Sequence, residues 1–189
     1  MASAEPTLTD LRDCALLALG LEFASRRSEL VGLDLEAQGD GTGVLEFAGD
    51  DGAIVRLLKG KTVIDKPDDV HVQLGVALKA TRLWIEQGGI AVGTPLFRGI
   101  GKRNRVSPTH LCDRMVSRIV KKRVEDMGLD PKEYSGHSLR SGSITASFEA
   151  GLAAWIIKLT SRHKSTQILE GYNEPLERKK HALTNAIGL

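Results

Sequence analysis

Aromatic side chains are scarce in this chain: four Phe, two Tyr and two Trp among 189 residues. Base stacking on an aromatic platform is therefore not the recognition mode that this composition favours. Cysteine is scarcer still. Cys14 and Cys112 stand far apart and fit no metal or CxxC spacing, so they read as buried thiols in a reducing, cytoplasmic compartment. No apolar run approaches the roughly 18 residues that a spanning helix needs. Met1 to Thr9 lacks a basic stretch followed by an apolar one, so no secretory signal is visible. No carboxylate cluster suggests a metal site. With 41% hydrophobic residues and ordinary Gly and Pro content, bulk disorder is excluded, and the length suits one domain with a core of its own.

The net charge of +2 conceals a strong polarity. Residues 1–53 carry a balance of −8 and residues 54–189 a balance of +10. Most of the excess lies in residues 98–123, where Arg98, Lys102, Arg103, Arg105, Arg114, Arg118, Lys121, Lys122 and Arg123 face only Asp113. Positive charge so concentrated is the footprint of a polyanionic partner, although a solvated helix face beside a basic loop gives the same pattern.

Hydrophobic periodicity predicts a mostly helical α+β domain with a small three-stranded antiparallel sheet near its start. Thr7 to Asp10 reads as a capping box, and the following LRDCALLALGLEFA is apolar on nearly every side, as a central buried helix would be. Ser28 offers a cap for a short turn. GVLEFAG and AIVRLLK flank Asp50-Asp51-Gly52, a hairpin signal, and DVHVQLG alternates as a third strand. The polar loop KGKTVIDKPDD lies between the second and third strands. A helix from Val76 ends at a Gly pair, TPLFRGIGKRNRVSPTH reads as a loop, and a helix over about 111–127 stops at Gly128. Further helices are expected near 137–150, 152–160, 164–171 and 176–186.

Four polar features stand out. GHSLRSG places His137 and Arg140 at i and i+3 near a helix start, on one face. SRHKSTQILEGY sets His163 nine residues before Tyr172. Arg26-Arg27 follows the first helix, and KGKT presents Lys59 and Lys61 from the sheet edge. Each alone has an ordinary structural explanation, such as a surface pair, a packed phenol or a helix-dipole partner. In order they read Arg, Lys, His-x-x-Arg, His, Tyr, and the chain then resembles the catalytic domain of the tyrosine recombinases, the phage-integrase family. Arg26-Arg27-Ser28-Glu29-Leu30 matches the family's Arg-x-Ser-Glu-Leu with Arg26 in the catalytic place. Lys61-Thr62 matches its hairpin lysine, with Lys59 as the alternative, and Gly136 to Arg140 matches its His-x-x-Arg box. His163 and Tyr172 take the remaining places.

The resemblance covers about residues 8–176 and implies transesterification at a DNA phosphodiester, with no metal or other cofactor. Arg26, Arg140 and His163 would hold the nonbridging oxygens, and Tyr172 would attack. His137 would accept or tune the phenolic proton, and Lys61 would protonate the leaving oxygen. Lys59, Arg103, Arg105, Arg118, Lys121 and Lys122 would contact backbone phosphates. Arg162 stands where the family commonly has Gly, and would add charge beside the phosphate. The family's N-terminal core-binding domain is expected to be absent, so that residues 1–189 are a single catalytic domain, either excised or truncated. The resemblance implies duplex DNA as partner, a monomer in isolation and tetrameric assembly on DNA in the full-length protein. The tail 175–189, with Leu176, Leu183 and Ile187, would dock on a neighbour or on its own domain. A DNA-binding domain without independent catalysis, and relaxation of the type IB topoisomerase kind, are the alternatives.

Overall fold

The computed structural model describes residues 5–50, 52–59, 68–73 and 75–180. Lys61 and the tail residues 181–189 lie outside the described residues. Helix α1 (Leu8–Glu22) opens on the expected capping box: the Thr7 hydroxyl accepts from the Asp10 amide at 3.2 Å, and the Asp10 carboxylate accepts from the Thr7 amide at 2.9 Å. Leu16 and Leu19 are fully buried, and α1 packs along α3 (Val76–Gly88), whose C-terminus is capped by Gly89 at φ 60°.

The first helix is not apolar throughout. Arg12 and Asp13 are buried beside its leucines and paired at 2.6 Å, and Arg123 reaches Asp13 at 2.7 Å and Asp10 at 2.8 Å. Arg123 belongs to α4 (Asp113–Asp126), so this polar group ties α4 to α1 and removes one cation from the exposed basic set. The two cysteines correct another expectation, because both are exposed. Cys14 lies about 200° around the helix from Leu16, on the outer face, and Cys112 is the exposed N-cap of α4. The thiols therefore carry no argument about a compartment. Among the described residues, no helix is long and apolar enough to cross a membrane.

Strands β2 (Gly43–Phe47), β3 (Gly52–Leu57) and β4 (Asp68–Gln73) form the expected antiparallel meander, with Val55 opposite Val70 and Ala53 opposite Val72. A further strand, β1 (Leu33–Leu35), pairs parallel with β2, so the sheet is four-stranded and mixed. Parallel neighbours usually need a crossover of a dozen or more residues. Here residues 36–42 suffice: Glu36 turns at φ 60°, and Asp34 Oδ2 accepts the amides of Gly39 and Gly41, each at 2.7 Å. A Cβ on Gly41 would stand 2.4 Å from the Gly32 carbonyl oxygen, so the loop closes only around glycine.

The stretch read as a loop after α3 contains a second hairpin, β5 (Arg98–Ile100) with β6 (Val106–His110), turned by Arg103 and Asn104 at φ 59° and 56°. Its strands are short and interrupted by Gly99 and Pro108, which leaves no period-two signal to read. Helices α5 (Ser138–Glu149), α6 (Ala154–Ser161) and α7 (Thr166–Lys180) complete the chain. α7 fuses two expected helices into one that runs through Pro175.

The core has two parts. The main cluster joins α1, the sheet, α3 and α4 around Leu16, Leu45, Trp84 and Val116. The second joins α5, α6 and α7 around Ile144, Phe148, Ile157 and Leu169, with Tyr172 packed against it.

Candidate active site

The segment between α1 and α2 (Arg27–Val31) organises the site. Ala24 turns the chain at φ 47°, and the Ser25 amide donates back to the Gly20 carbonyl at 3.0 Å. α2 is not capped by Ser28, as the sequence suggested. Glu29 stands at its third position and closes back on Arg26: Oε2 accepts the Arg26 amide at 2.8 Å, and Oε1 accepts Arg26 Nη1 at 2.6 Å. One carboxylate thereby starts the helix and fixes a guanidinium. Glu29 is 6% exposed, while Arg26 is half-buried at the surface of the site.

Arg140 approaches the same segment from α5. Its Nη1 donates to the Ala24 carbonyl at 2.7 Å, its Nη2 donates to the Ser161 carbonyl at the end of α6, and Nη2 also lies 3.4 Å from each ring nitrogen of His163. Arg162 donates through Nη1 to the neighbouring Phe23 carbonyl at 3.2 Å and through Nη2 to Glu29 Oε2 at 2.5 Å. Consecutive carbonyls, Phe23 and Ala24, thus hold two guanidinium groups, and Glu29 links one of them to a third. His163 Nδ1 lies 2.9 Å from Ser161 Oγ, and the Tyr172 ring centroid is 6.4 Å from that of His163. His137, at the N-cap of α5, is exposed.

Mutual electrostatics follow from this crowding. Burial, then Arg26 and Arg162, lower Arg140 to about 10, which leaves it charged at neutral pH. Burial, then Arg140, Arg26 and His137, push His163 down to about 4. His137, although its residue is exposed, is lowered too, by partial desolvation of its ring and then by Arg140, Arg26 and Arg27. Both imidazoles are therefore neutral near pH 7 and able to accept or donate. Burial raises Glu29, but Arg162 and then Arg26 outweigh it and hold the carboxyl below its usual value.

Beside this cluster opens a cleft of about 530 Å³, lined by Arg26, Arg27, Ser28, Glu29, Thr42, Lys59, Asp113 and His137. Lys59 thus shares a cleft with Arg26 and His137. The remaining basic residues lie further out. Arg103 and Arg105 are exposed on the β5–β6 turn. Arg118, Lys121 and Lys122 are exposed on α4, with Lys122 paired to Asp126. Arg162, expected to add charge facing the phosphate, is 7% exposed and turned inward. Arg27, which the sequence offered only as the neighbour of Arg26, has its stem packed so closely over residue 136 that a Cβ there would stand 2.2 Å from Arg27 Cδ. The glycine before the histidine box was the available signal of that packing.

Guanidinium and imidazole groups gathered beside a phenol, with the Glu29 carboxylate paired between Arg26 and Arg162, make a site suited to a tetrahedral phosphate and a hydroxyl nucleophile. The comparisons point the same way. No family model matches the chain. Over 176 residues the chain is 33% identical to an integrase/recombinase xerD homolog of Selenomonas ruminantium, an alignment that takes in 90% of this chain and 49% of that protein. In structure it is similar to XerH site-specific recombinase bound to its difH substrate, with a TM-score of 0.67 and 16% identity over 97% of this chain and 48% of that one. It is also similar to XerA recombinase, with a TM-score of 0.64 and 16% identity over 92% of this chain and 58% of that one. The chain belongs to the tyrosine recombinase family and has the fold of its catalytic domain. It spans about half the length of the curated relative that it matches.

Proposed function

We propose that this chain cleaves and rejoins duplex DNA by transesterification through Tyr172. The observation that carries the reading is the convergence of Arg26, Arg140 and His163, remote in sequence, on one site beside the Tyr172 ring. The XerH relative was solved in a pre-cleavage complex with its DNA substrate, which supports DNA as the ligand of this fold.

Tyr172 Oη attacks the scissile phosphorus, a P–O bond to the phenol forms, and the P–O5′ bond breaks. The phenolic proton passes to His137, whose lowered proton affinity leaves it free to accept. A lysine returns a proton to the departing O5′. Lys61, in the place of the family's hairpin lysine, is the first candidate, and Lys59, which lines the cleft, is the alternative. Charge building on the nonbridging oxygens meets Arg26 and Arg140, with His163 as a further donor. Attack of a 5′-hydroxyl on the phosphotyrosine reverses the sequence, so the bond energy is conserved without ATP.

Arg103, Arg105, Arg118, Lys121 and Lys122 form the phosphate-contacting surface, while Arg162 acts from inside the protein. Self-association on DNA is supported by an apolar face that carries Trp155 at 63% and Leu159 at 69% exposure. A DNA substrate would bring the protein to the chromosome, which supports a cytoplasmic location. One observation favours a second reading, a DNA-binding unit that does not cleave alone: Arg140 is only 2% exposed, with His163 against it.

The test uses a pool of nicked duplexes with randomised arms and a bridging 5′-phosphorothiolate at the scissile position. Cleavage there releases a thiol that rejoins poorly, so covalent protein–DNA accumulates. The reading requires an adduct that Tyr172→Phe abolishes. DNA binding with no adduct at any sequence supports the second reading instead.

A further inference from the structure

We infer that Arg162 is a positioning residue that shares the Glu29 carboxylate with Arg26, so that Arg26, though paired with Glu29, still presents net positive charge to the phosphate. The inference rests on the function proposed above. Its starting point is the backbone: Arg162 caps α6 at φ 55° and ψ 40°, a left-handed conformation that glycine takes freely and that every residue with a Cβ resists. An arginine kept at such a position needs a reason in its side chain.

That side chain turns back into the protein, 7% exposed. It donates to the carbonyls of Thr160 at 2.8 Å and Phe23 at 3.2 Å, and to Glu29 Oε2 at 2.5 Å, with its guanidinium carbon 5.6 Å from the centre of the Phe23 ring. It is directed away from solvent, so contact with DNA is not its part. Glu29 has a cation on each oxygen, Arg26 at Oε1 and Arg162 at Oε2. Without Arg162, the buried carboxylate would lean on Arg26 alone. A guanidinium neutralised by its own carboxylate holds a phosphate weakly. Arg162 also ties the segment bearing His163 to the segment bearing Arg26, and so sets the separation of two groups that must reach the same oxygens.

The test compares the 189-residue chain with its Arg162→Gly and Arg162→Gln variants on the phosphorothiolate pool. Glycine relieves the backbone, and glutamine keeps part of the packing without the charge, so either variant carries the test if the other fails to fold. Both should bind the pool at most a few-fold more weakly, because the exposed basic residues and not Arg26 carry most of the phosphate contacts, and should form adduct about 10²-fold more slowly at saturating protein. Adding Glu29→Gln to either should restore part of the rate, because the neutral amide no longer quenches Arg26, an outcome that a merely structural role does not produce. Cleavage by either folded variant at the wild-type rate, or a double variant slower than its parent, overturns the inference and leaves the proposed function standing. A wild-type chain that forms no adduct overturns both.

Discussion

His163 sits among cations that its own protonation would oppose. Burial and Arg140 hold it near 4 in the free protein, against an ordinary 6.5. A DNA phosphate placed between His163 and the arginines supplies the missing negative charge, so binding should raise the value toward 6.5; histidine-selective NMR titration with and without DNA measures it. The sign for stability follows by linkage. The depressed affinity contributes nothing unfavourable above the unfolded value of 6.5, and the native state loses stability as pH falls from there toward 4. Urea midpoints of wild type and His163→Gln should therefore converge in their pH dependence above 6.5 and diverge below it, with wild type the steeper.

The proton donor is likewise a question about one residue. If Lys61 delivers the proton, Lys61→Ala should slow adduct formation on an ordinary phosphodiester by about 10²–10⁴-fold. It should leave the phosphorothiolate substrate nearly untouched, since a thiolate leaves without protonation. The same signature in Lys59→Ala, and not in Lys61→Ala, would move the role to Lys59.

At the scale of elements, α4 divides its basic residues between two environments. Val116, Ile119 and Val120 face the core, and Arg118, Lys121 and Lys122 face solvent. Arg118→Ala and Lys121→Ala should each reduce the salt dependence of DNA binding by about one unit of log–log slope, with stability unchanged. Arg123→Ala should do the reverse. Its loss strands buried Asp13 with Arg12 alone and should cost about 1–3 kcal/mol in denaturant unfolding, with the salt slope intact. The charge count in the sequence could not separate these residues, because nothing local to Arg123 reveals carboxylates 110 and 113 positions away.

The same limit governs what the sequence discloses elsewhere. The β2–β3–β4 meander and α3 were legible because alternation, the Asp-Gly turn and the Gly pair are local signals. β1 has three residues, all buried, and its parallel pairing depends on the carboxylate of Asp34 and on close approach at Gly41. The sequence suggested two helices, 164–171 and 176–186, yet one helix continues through Pro175. Proline at 175 has no amide to offer the carbonyl of residue 171, and the packing of Leu169, Tyr172 and Leu176 in the second cluster outweighs that loss. Arg162 was read as a surface cation for the same reason that Arg123 was: its partners, Phe23 and Glu29, come from the other end of the chain.

At the scale of the whole molecule, the site lies on the seam between two hydrophobic clusters. Arg26 belongs to the segment that leads into the main cluster, Tyr172 to the helix that packs in the second, and Arg140 bridges the two through the carbonyls of Ala24 and Ser161. Bringing Arg26, Arg140 and Tyr172 together is thus the same event as docking the two parts of the core. The exposed Trp155 and Leu159 lie on the second part, so assembly on DNA would press on the tyrosine-bearing portion of the molecule. Trp155→Ser with Leu159→Ser should abolish concentration-dependent assembly on DNA in sedimentation experiments while leaving monomer binding in place.

The central claim is that Tyr172 is the group that becomes joined to DNA. Mass-spectrometric mapping of the phosphorothiolate adduct tests it most directly. The phosphate should be found on Tyr172 alone, and the adduct should disappear in Arg26→Ala and Arg140→Ala. An adduct on Tyr134, the chain's other tyrosine, or one that persists in Tyr172→Phe, would contradict the account.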